Sequence, residues 1–257
     1  MSAESDRVLH ISDVHFGVED RRALDAFTEA VHEVQPDAII CTGDLTQRAR
    51  RSQFAAAQEW FASFDVPVML APGNHDMPYY NMVERFRRPY ARFDGLNAAA
   101  GSAFELKHAV IVPLDTNVTA QLRFPWSDGV IRQRKLDATL ARLAELDDAG
   151  EQRLKIVASH HPLLPARDGE RNPTIRGERA FAALAAAGVD AVMSGHVHVP
   201  FDMTRERGGH AIRMIGAGTL STRLRGANPS WNLLTIGDGE IAVEAVYPLG
   251  KQPAKHL

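Results

Sequence analysis

The sequence has few of the features that mark secreted, membrane-spanning or nucleic-acid-binding proteins. Its 257 residues include a single cysteine, Cys41, which excludes an internal disulfide and fits a reducing compartment. The first residues lack the basic and apolar regions of a signal peptide, and no apolar run approaches the length of a membrane span. The net charge of −3 offers no basic surface for nucleic acid. We therefore expect a cytoplasmic protein with neither a membrane span nor a nucleic-acid surface.

Low-complexity segments are also absent, and no stretch rich in Pro, Gly or Ser divides the chain. The length suits one α/β domain with a large core, so residues 1–257 are expected to form a single domain. Residues 163–178 are polar and lack periodicity, which predicts a short loop insertion near the active site. The oligomeric state is not readable from the sequence.

Strands and helices alternate along the first 70 residues. Leu24, Phe27 and Val31 recur at helical spacing in a predicted helix that ends before Pro36. The order strand–helix–strand–helix–strand predicts a parallel sheet with right-handed crossovers. Predicted strands cover residues 8–12, 37–42, 66–70, 103–106, 109–113, 154–159, 190–194, 210–215, 231–236 and 241–246. Predicted helices cover residues 21–34, 52–64, 82–86, 132–149 and 178–187, with Ser52 as the N-cap of the second.

Polar side chains follow five of the predicted strands, and an open α/β sheet collects its ligands outside these carboxyl ends. Carboxylate, amide oxygen and imidazole ligands without a thiolate suit Mn, Fe, Zn or Co. Seven candidate ligands are too many for one tetrahedral site but suffice for two metal ions if one carboxylate bridges them. Two metals about 3.5–4 Å apart assist in-line displacement at phosphorus. The residues at these strand ends are Asp13, His15, Asp44, Asn74, His75, His160, His196 and His198.

Taken singly, these positions have simpler interpretations. Asp13 suits a cap or turn, His15 the surface, and Asp44 after Gly43 a plain turn. Their occurrence together favours the metal site. His161, beside a predicted ligand, is expected to make a supporting or substrate contact rather than to bind metal, since neighbouring strand residues face opposite ways. Seven arginines near the predicted site loops are candidates for gripping phosphate, with no basis for choosing among them: Arg48, Arg50, Arg51, Arg123, Arg171, Arg176 and Arg223.

In their order and types these residues resemble the motifs of the calcineurin-like metallophosphoesterase superfamily. The motifs are Asp13-Val14-His15, Gly43-Asp44, Gly73-Asn74-His75-Asp76, His160 and Gly195-His196-Val197-His198. The resemblance extends from Val8 to about Val246. This chain has the family's residue at every motif position. The resemblance implies a four-layer α/β/β/α sandwich, in which two mixed β-sheets are flanked by helices.

The resemblance also implies roles for individual residues. Asp13, His15 and His198 would hold one divalent metal, and Asn74, His160 and His196 would hold the other. Asp44 would bridge the two ions, which are Mn, Fe or Zn, and a metal-bridging hydroxide would be the nucleophile. His75 would be the catalytic residue that contacts the phosphate and aids departure of the leaving group.

The contexts around Gly43-Asp44-Leu45-Thr46 and His160-His161-Pro162 resemble the small bacterial class III phosphodiesterases, which act on cyclic nucleotides and glycerophosphodiesters. A diester also fits the absence of Arg and Lys from the five motifs, because a monoester dianion calls for several fixed cations. The expected partner is therefore a small-molecule phosphate ester. The alternatives are a pyrophosphatase acting on a nucleotide-linked sugar or lipid, a phosphomonoesterase, a nuclease, and a metal-binding scaffold without catalysis.

Overall fold

The computed structural model describes residues 5–96, 103–121, 125–167 and 170–251. In these ranges the helices are α1 (Arg21–Val34), α2 (Arg51–Ala62), α3 (Met82–Arg87), α4 (Gln133–Asp148) and α5 (Gly177–Ala186), with a 3₁₀ turn at Asn74–Asp76. The first strands are β1 (Asp6–Ile11), β2 (Ala38–Cys41), β3 (Val68–Leu70), β4 (Phe104–Glu105), β5 (Ala109–Pro113) and β6 (Gly129–Val130). The others are β7 (Leu154–Ala158), β8 (Thr174–Ile175), β9 (Ala191–Ser194), β10 (Phe201–Arg207), β11 (His210–Gly216), β12 (Trp231–Gly237) and β13 (Glu240–Val246).

The strands form two large mixed sheets. The first has the order β13-β12-β1-β2-β3, and the second has the order β10-β11-β9-β7-β5-β4. Strands β1, β2 and β3 are parallel, as the alternating pattern predicts. Strands β5, β7, β9 and β11 are parallel in the second sheet. The predicted hairpin of β4 and β5 is also present.

The hydrophobic core is divided into three layers by the two sheets. Residues such as Ile40 and Met193 fill the space between the sheets. Phe27 of α1 and Phe54 of α2 pack on the outer face of the first sheet. Leu143 of α4 and Leu184 of α5 pack on the outer face of the second. The fold is therefore the four-layer α/β/β/α sandwich that the sequence predicts.

The strand register brings the motif loops to one edge of the sandwich. Ile11 pairs with Cys41, and Cys41 pairs with Leu70, so the loops after β1, β2 and β3 begin side by side. In the second sheet Ala158 pairs with Met193, which aligns the loops after β7 and β9. The carboxyl ends of the parallel strands of both sheets therefore lie at this edge.

The predicted N-cap Ser52 is wrong, and two features of the structure, strands β8 and β10, were not predicted. Helix α2 begins at Arg51, and Arg50 rather than Ser52 is its N-cap. Strand β10 was not predicted, because its residues are mostly polar and it lies at the edge of the sheet. The predicted loop insertion at residues 163–178 contains the short strand β8, which pairs with β6; residues 168 and 169 lie outside the described part. No described helix is long and apolar enough to cross a membrane.

Candidate metal centre

The motif loops turn sharply after their strands, and five of the predicted ligands have a left-handed backbone. Side chains other than glycine rarely adopt positive φ, and such strained positions cluster at functional sites. The loops use this conformation to aim successive side chains at one point instead of letting them alternate as in a strand. The φ values are 54° at Asp13, 51° at His15, 53° at Asp44, 68° at His196 and 59° at His198.

Two motif glycines allow the loops to pack behind these side chains. A Cβ atom on Gly73 would lie 2.1 Å from Oδ1 of Asp44, and a Cβ atom on Gly195 would lie 1.8 Å from Oγ of Ser12. At Gly73 the backbone nitrogen of Asp44 would also lie only 2.2 Å away, so the loop itself would have to move, whereas at Gly195 the side chains of Ser12 and Asp13 would have to shift. The motifs therefore contain glycine because their loops pack directly against the carboxylates.

One group of predicted ligands comes from both sheets. Nε2 of His198 lies 3.0 Å from Oδ1 of Asp13 and 3.4 Å from Nε2 of His15. All three side chains are buried. Nδ1 of His198 is 2.5 Å from the carbonyl oxygen of Arg223, which can only accept a hydrogen bond. The Nδ1 atom therefore carries the hydrogen, and Nε2 presents a lone pair to Asp13.

A second group lies beside the first. Nε2 of His160 is 3.2 Å from Oδ1 of Asn74 and 3.4 Å from Oδ2 of Asp44. Nδ1 of His160 donates to the carbonyl oxygen of Thr42 at 2.8 Å, so Nε2 has a lone pair when the ring is neutral. The ring of His196 lies against that of His160, with centroids 5.3 Å apart. The structure thus brings all seven predicted ligands together, and Asp13, Asp44 and His160 also fall within one candidate metal-binding group.

These contacts fit divalent metal ions. In the neutral form of the histidines, Oδ1 of Asp13 and Nε2 of His198 are two acceptors with no hydrogen between them, and Oδ1 of Asp13 has no hydrogen-bond partner among the described residues. Asp44, Asn74 and His160 present three acceptors to one another in the same way. Converging lone pairs need a cation, and a backbone carbonyl that accepts from the far ring nitrogen, as at His160 and His198, is typical of metal-binding histidines.

The pKa values of Asp44 and His160 also indicate that the buried carboxylate needs a positive charge beside it. Burial alone would raise the pKa of Asp44, but the neighbouring imidazoles, His160 first, hold it well below its usual range. Burial would lower the pKa of His160, yet the Asp44 carboxylate outweighs it and raises that pKa to about 9. Without metal, a proton on His160 therefore balances the carboxylate. A divalent ion would replace this proton, because metal ligands bind in their deprotonated form.

The contacts of His161 are those of a supporting residue. Its Nε2 donates to the carbonyl oxygen of Ser127 at 2.8 Å, and its Nδ1 is 2.7 Å from the hydroxyl of Thr116. Burial lowers its pKa to about 3, so the ring is neutral. Both ring nitrogens are occupied, and the ring packs on His196 with centroids 4.4 Å apart. His161 also falls within a candidate metal-binding group with His160 and His196, so its supporting role stays a prediction.

His75 stands at the edge of the cluster together with an arginine that lies outside every motif. Nδ1 of His75 donates to the carbonyl oxygen of Gln47 at 2.7 Å. Nη1 of Arg223 is 3.2 Å from Nε2 of His75 and 3.2 Å from Nε2 of His15. Of the seven candidate arginines, Arg223 is therefore the one in contact with the predicted ligands; Arg123 lies outside the described residues.

Sequence reasoning missed why Arg223 reaches this position. It lies in the loop after β11, which runs parallel to β9, so this loop also starts at the edge that carries His196 and His198. The only possible signal was the sheet order, which the sequence does not give. Arg225 from the same loop donates to the carbonyl oxygen of His196 at 2.9 Å. This loop therefore contacts the predicted ligand His15 through Arg223 and the motif after β9 through Arg225.

Asp76 was part of a motif but had no predicted role. Its buried carboxylate accepts from the backbone N–H of Gly73 at 2.9 Å, of Leu45 at 3.1 Å and of Thr46 at 2.8 Å. Burial and the nearby Asp44 carboxylate raise its pKa to about 7. Because these hydrogen bonds join the loops after β2 and β3, Asp76 fixes the position of Asp44 relative to Asn74.

The fold and the cluster at its edge are those of a metal-dependent enzyme that hydrolyses phosphoric esters. A family model described as "Calcineurin-like phosphoesterase" matches residues 6–200. The chain belongs to the calcineurin-like phosphoesterase family, whose members use divalent metals.

Curated relatives match most of the chain. A "Probable cyclic nucleotide phosphodiesterase" of Rhodococcus erythropolis is 26% identical over 95% of this chain and 83% of its own. The 3',5'-cyclic adenosine monophosphate phosphodiesterase CpdA of Haemophilus influenzae is 25% identical over 93% of this chain and 88% of its own. The CpdA of Escherichia coli K12 is 26% identical over 77% of this chain and 71% of its own.

Solved structures share the fold at low sequence identity. The purple acid phosphatase PPD1 of yellow lupin superposes with a TM-score of 0.64 and 14% identity. That match covers 98% of this chain, which spans about half of the lupin chain, 53%. The sulfate thiohydrolase SoxB of Thermus thermophilus gives a TM-score of 0.57 at 12% identity. These likenesses concern the architecture alone.

Proposed function

We propose that this protein is a dinuclear metal-dependent phosphodiesterase. Asp13, His15 and His198 hold one metal ion, and Asn74, His160 and His196 hold the other, with Asp44 between them. The observation that supports this proposal is the convergence of carboxylate and amide oxygens on the Nε2 atoms of His160 and His198, whose Nδ1 atoms are both hydrogen-bonded to backbone carbonyls. Two metal ions at this position would supply positive charge to the phosphoryl oxygens and lower the pKa of bound water.

The chain supplies two further groups at the edge of the metal cluster. The guanidinium of Arg223 is oriented by Gln47, whose Oε1 lies 3.4 Å from its Nη1, and it is placed to bind a phosphoryl oxygen. Nδ1 of His75 donates to the carbonyl oxygen of Gln47, and Nε2 accepts from Arg223 in this structure, so Nε2 can carry a proton only when the guanidinium turns to the phosphoryl group. We propose that Nε2 of His75 donates this proton to the leaving oxygen.

A diester substrate is favoured by the charge and by the space around the cluster. A monoester dianion calls for several fixed cations, whereas Arg223 is the one candidate arginine in contact with the predicted ligands. A cavity of about 360 Å³ opens beside His196, and its wall contains Pro165, Pro173 and Val197 together with the charged residues Asp128, Glu170, Arg171 and Arg225. It offers room for a second ester group. The names of the curated relatives support a cyclic nucleotide as one such substrate.

The experiment that tests the substrate class compares two aryl esters. With Mn²⁺ supplied, bis(p-nitrophenyl) phosphate is expected to be cleaved with a higher kcat/KM than p-nitrophenyl phosphate, because one guanidinium suits a monoanion better than a dianion. Release of p-nitrophenol measures both reactions in the same assay. Cyclic AMP is expected to be accepted as well. A clearly faster monoester would overturn the diester proposal and leave only the family assignment.

Arg223 can be tested separately from the metal ligands. The substitution Arg223→Ala is expected to lower kcat/KM for the diester by about 10- to 100-fold, the range for losing a hydrogen bond to a charged group. Metal content should remain that of the unmodified protein, because the guanidinium is a donor and holds no metal. Arg176→Ala, a change of the same kind at another candidate arginine, is the matched control. Equal effects of the two substitutions would remove Arg223 from the site.

A further inference from the structure

Exposed apolar side chains are concentrated in one short stretch of the chain. Five of the seven large hydrophobic side chains that are exposed in the described ranges lie within residues 79–86. They are Tyr79, Tyr80, Met82, Val83 and Phe86, and Val83 is 65% exposed. Helix α3, which carries three of them, has no buried residue. Scattered exposed hydrophobics are ordinary, but a contiguous group indicates a binding surface.

Arginines surround this apolar group. The guanidinium of Arg48 lies 5.6 Å from the ring centroid of Tyr79 and 5.8 Å from that of Tyr80. Arg87 and Arg88 are exposed on the same helix and its cap, and no ion pair of the described residues involves either. Residues 48–51 and 79–92 together contain seven arginines and one glutamate, in a chain whose net charge is −3. That glutamate, Glu84, pairs with Arg92.

We call these five apolar side chains, together with Arg48, Arg87 and Arg88, the aromatic–arginine face. It lies close to the predicted metal centre along the chain. Tyr79 follows His75 by four residues. Arg48 follows Gln47, whose carbonyl oxygen orients His75. Arg92 also ties the two stretches together, because its Nη1 donates to the carbonyl oxygen of Ala49 at 2.6 Å. A partner bound to the aromatic–arginine face would therefore lie beside His75 and the predicted metal centre.

We propose that the aromatic–arginine face docks on an anionic phospholipid surface. Tyrosine, phenylalanine and arginine are the residues that settle at the headgroup level, where rings enter the acyl boundary and guanidinium groups meet lipid phosphates. The charge of the face complements such a surface. A second copy of this chain is a poorer occupant, because a two-fold contact through this face would bring two copies of the same arginine-rich surface together.

The docking is independent of the reaction and is tested without substrate. The full-length protein is sedimented with vesicles of phosphatidylcholine and with vesicles that also contain phosphatidylglycerol. Binding is expected only to the anionic vesicles, and it should weaken as salt is added. The double substitution Val83→Ser with Phe86→Ser should abolish it. Arg87→Glu should weaken it by at least about fivefold, near the value for one arginine at a charged surface.

Two controls separate docking from folding and from self-association. Arg207→Glu makes the same charge change at the opposite end of the sheet, where Arg207 pairs with His210 at the far end of β10, and it should leave vesicle binding intact. Hydrolysis of bis(p-nitrophenyl) phosphate without vesicles should be unchanged in all these variants, which shows that they fold. Equal binding to both vesicle types, equal effects of Arg87→Glu and Arg207→Glu, or a change of oligomeric state in place of lipid binding would overturn the proposal.

Discussion

Asp44→Asn is expected to remove both metal ions and nearly all activity. Oδ2 of Asp44 lies 3.4 Å from Nε2 of His160 and 3.7 Å from Nε2 of His15, so this carboxylate contacts both groups of predicted ligands. An amide has the same shape but no charge, and it cannot offer an anionic oxygen to each of two ions. Turnover of the diester should fall by more than the roughly 10²–10³-fold that follows loss of one stabilising hydrogen-bond donor. Metal content by plasma mass spectrometry and kcat from the p-nitrophenol assay measure the two effects.

The matched control for this change is Asp37→Asn. Asp37 lies before β2, at the end of the strand away from the metal cluster, and its carboxylate accepts from the backbone N–H of Arg7 at 2.7 Å. The substitution Asp37→Asn makes the same change of charge as Asp44→Asn but at a residue outside the metal centre. Metal content and kcat should therefore stay near those of the unmodified protein. If Asp44→Asn kept two metal ions per chain, the bridging role would be wrong.

His75→Ala has the second largest expected effect and should leave the metals in place. His75 contacts the carbonyl oxygen of Gln47 and the guanidinium of Arg223, and no predicted ligand depends on its side chain for a hydrogen bond in the described structure. A positioned proton donor contributes about 10²–10⁴-fold, so kcat should fall by this factor for a diester with a poor leaving group. Diphenyl phosphate is a suitable substrate, because phenoxide leaves only with difficulty.

The dependence on leaving group identifies what His75 does. The loss of activity should be much smaller with bis(p-nitrophenyl) phosphate, because p-nitrophenoxide leaves without a proton. His32→Ala removes an exposed histidine from α1 and serves as the control, with no expected change on either substrate. Equal losses on the two diesters would show that His75 stabilises charge on the phosphoryl group and does not protonate the leaving oxygen.

The sequence predicted the fold and the position of the cluster because both depend on local signals. Apolar runs that end in Asp, His or Gly-Asn indicate buried strands followed by tight turns, and β1, β2, β7 and β9 all have this pattern. Parallel strands put such ends at one edge, so Asp13, Asp44 and His160 could be expected to meet. The resemblance of the ordered motifs supplied the division into two sheets.

The remaining features of the site depend on contacts between distant segments. Arg223 reaches His75 because β11 runs parallel to β9, and this order of strands is not written in any local pattern. His161 is held by Thr116 and Ser127, which come from a segment without a recognisable motif. The role of Asp76 was missed for the same reason, since its hydrogen bonds to Leu45 and Thr46 span thirty residues or more.

Anomalous X-ray diffraction from crystals grown with Mn²⁺ tests the central claim most directly. The proposal predicts two anomalous peaks at the manganese edge, about 3.5–4 Å apart, with the carboxylate of Asp44 between them. The manganese ion at one peak should be bound by Asp13, His15 and His198. The ion at the other peak should be bound by Asn74, His160 and His196. A single peak, or two peaks of which neither lies beside Asp44, would contradict the dinuclear centre.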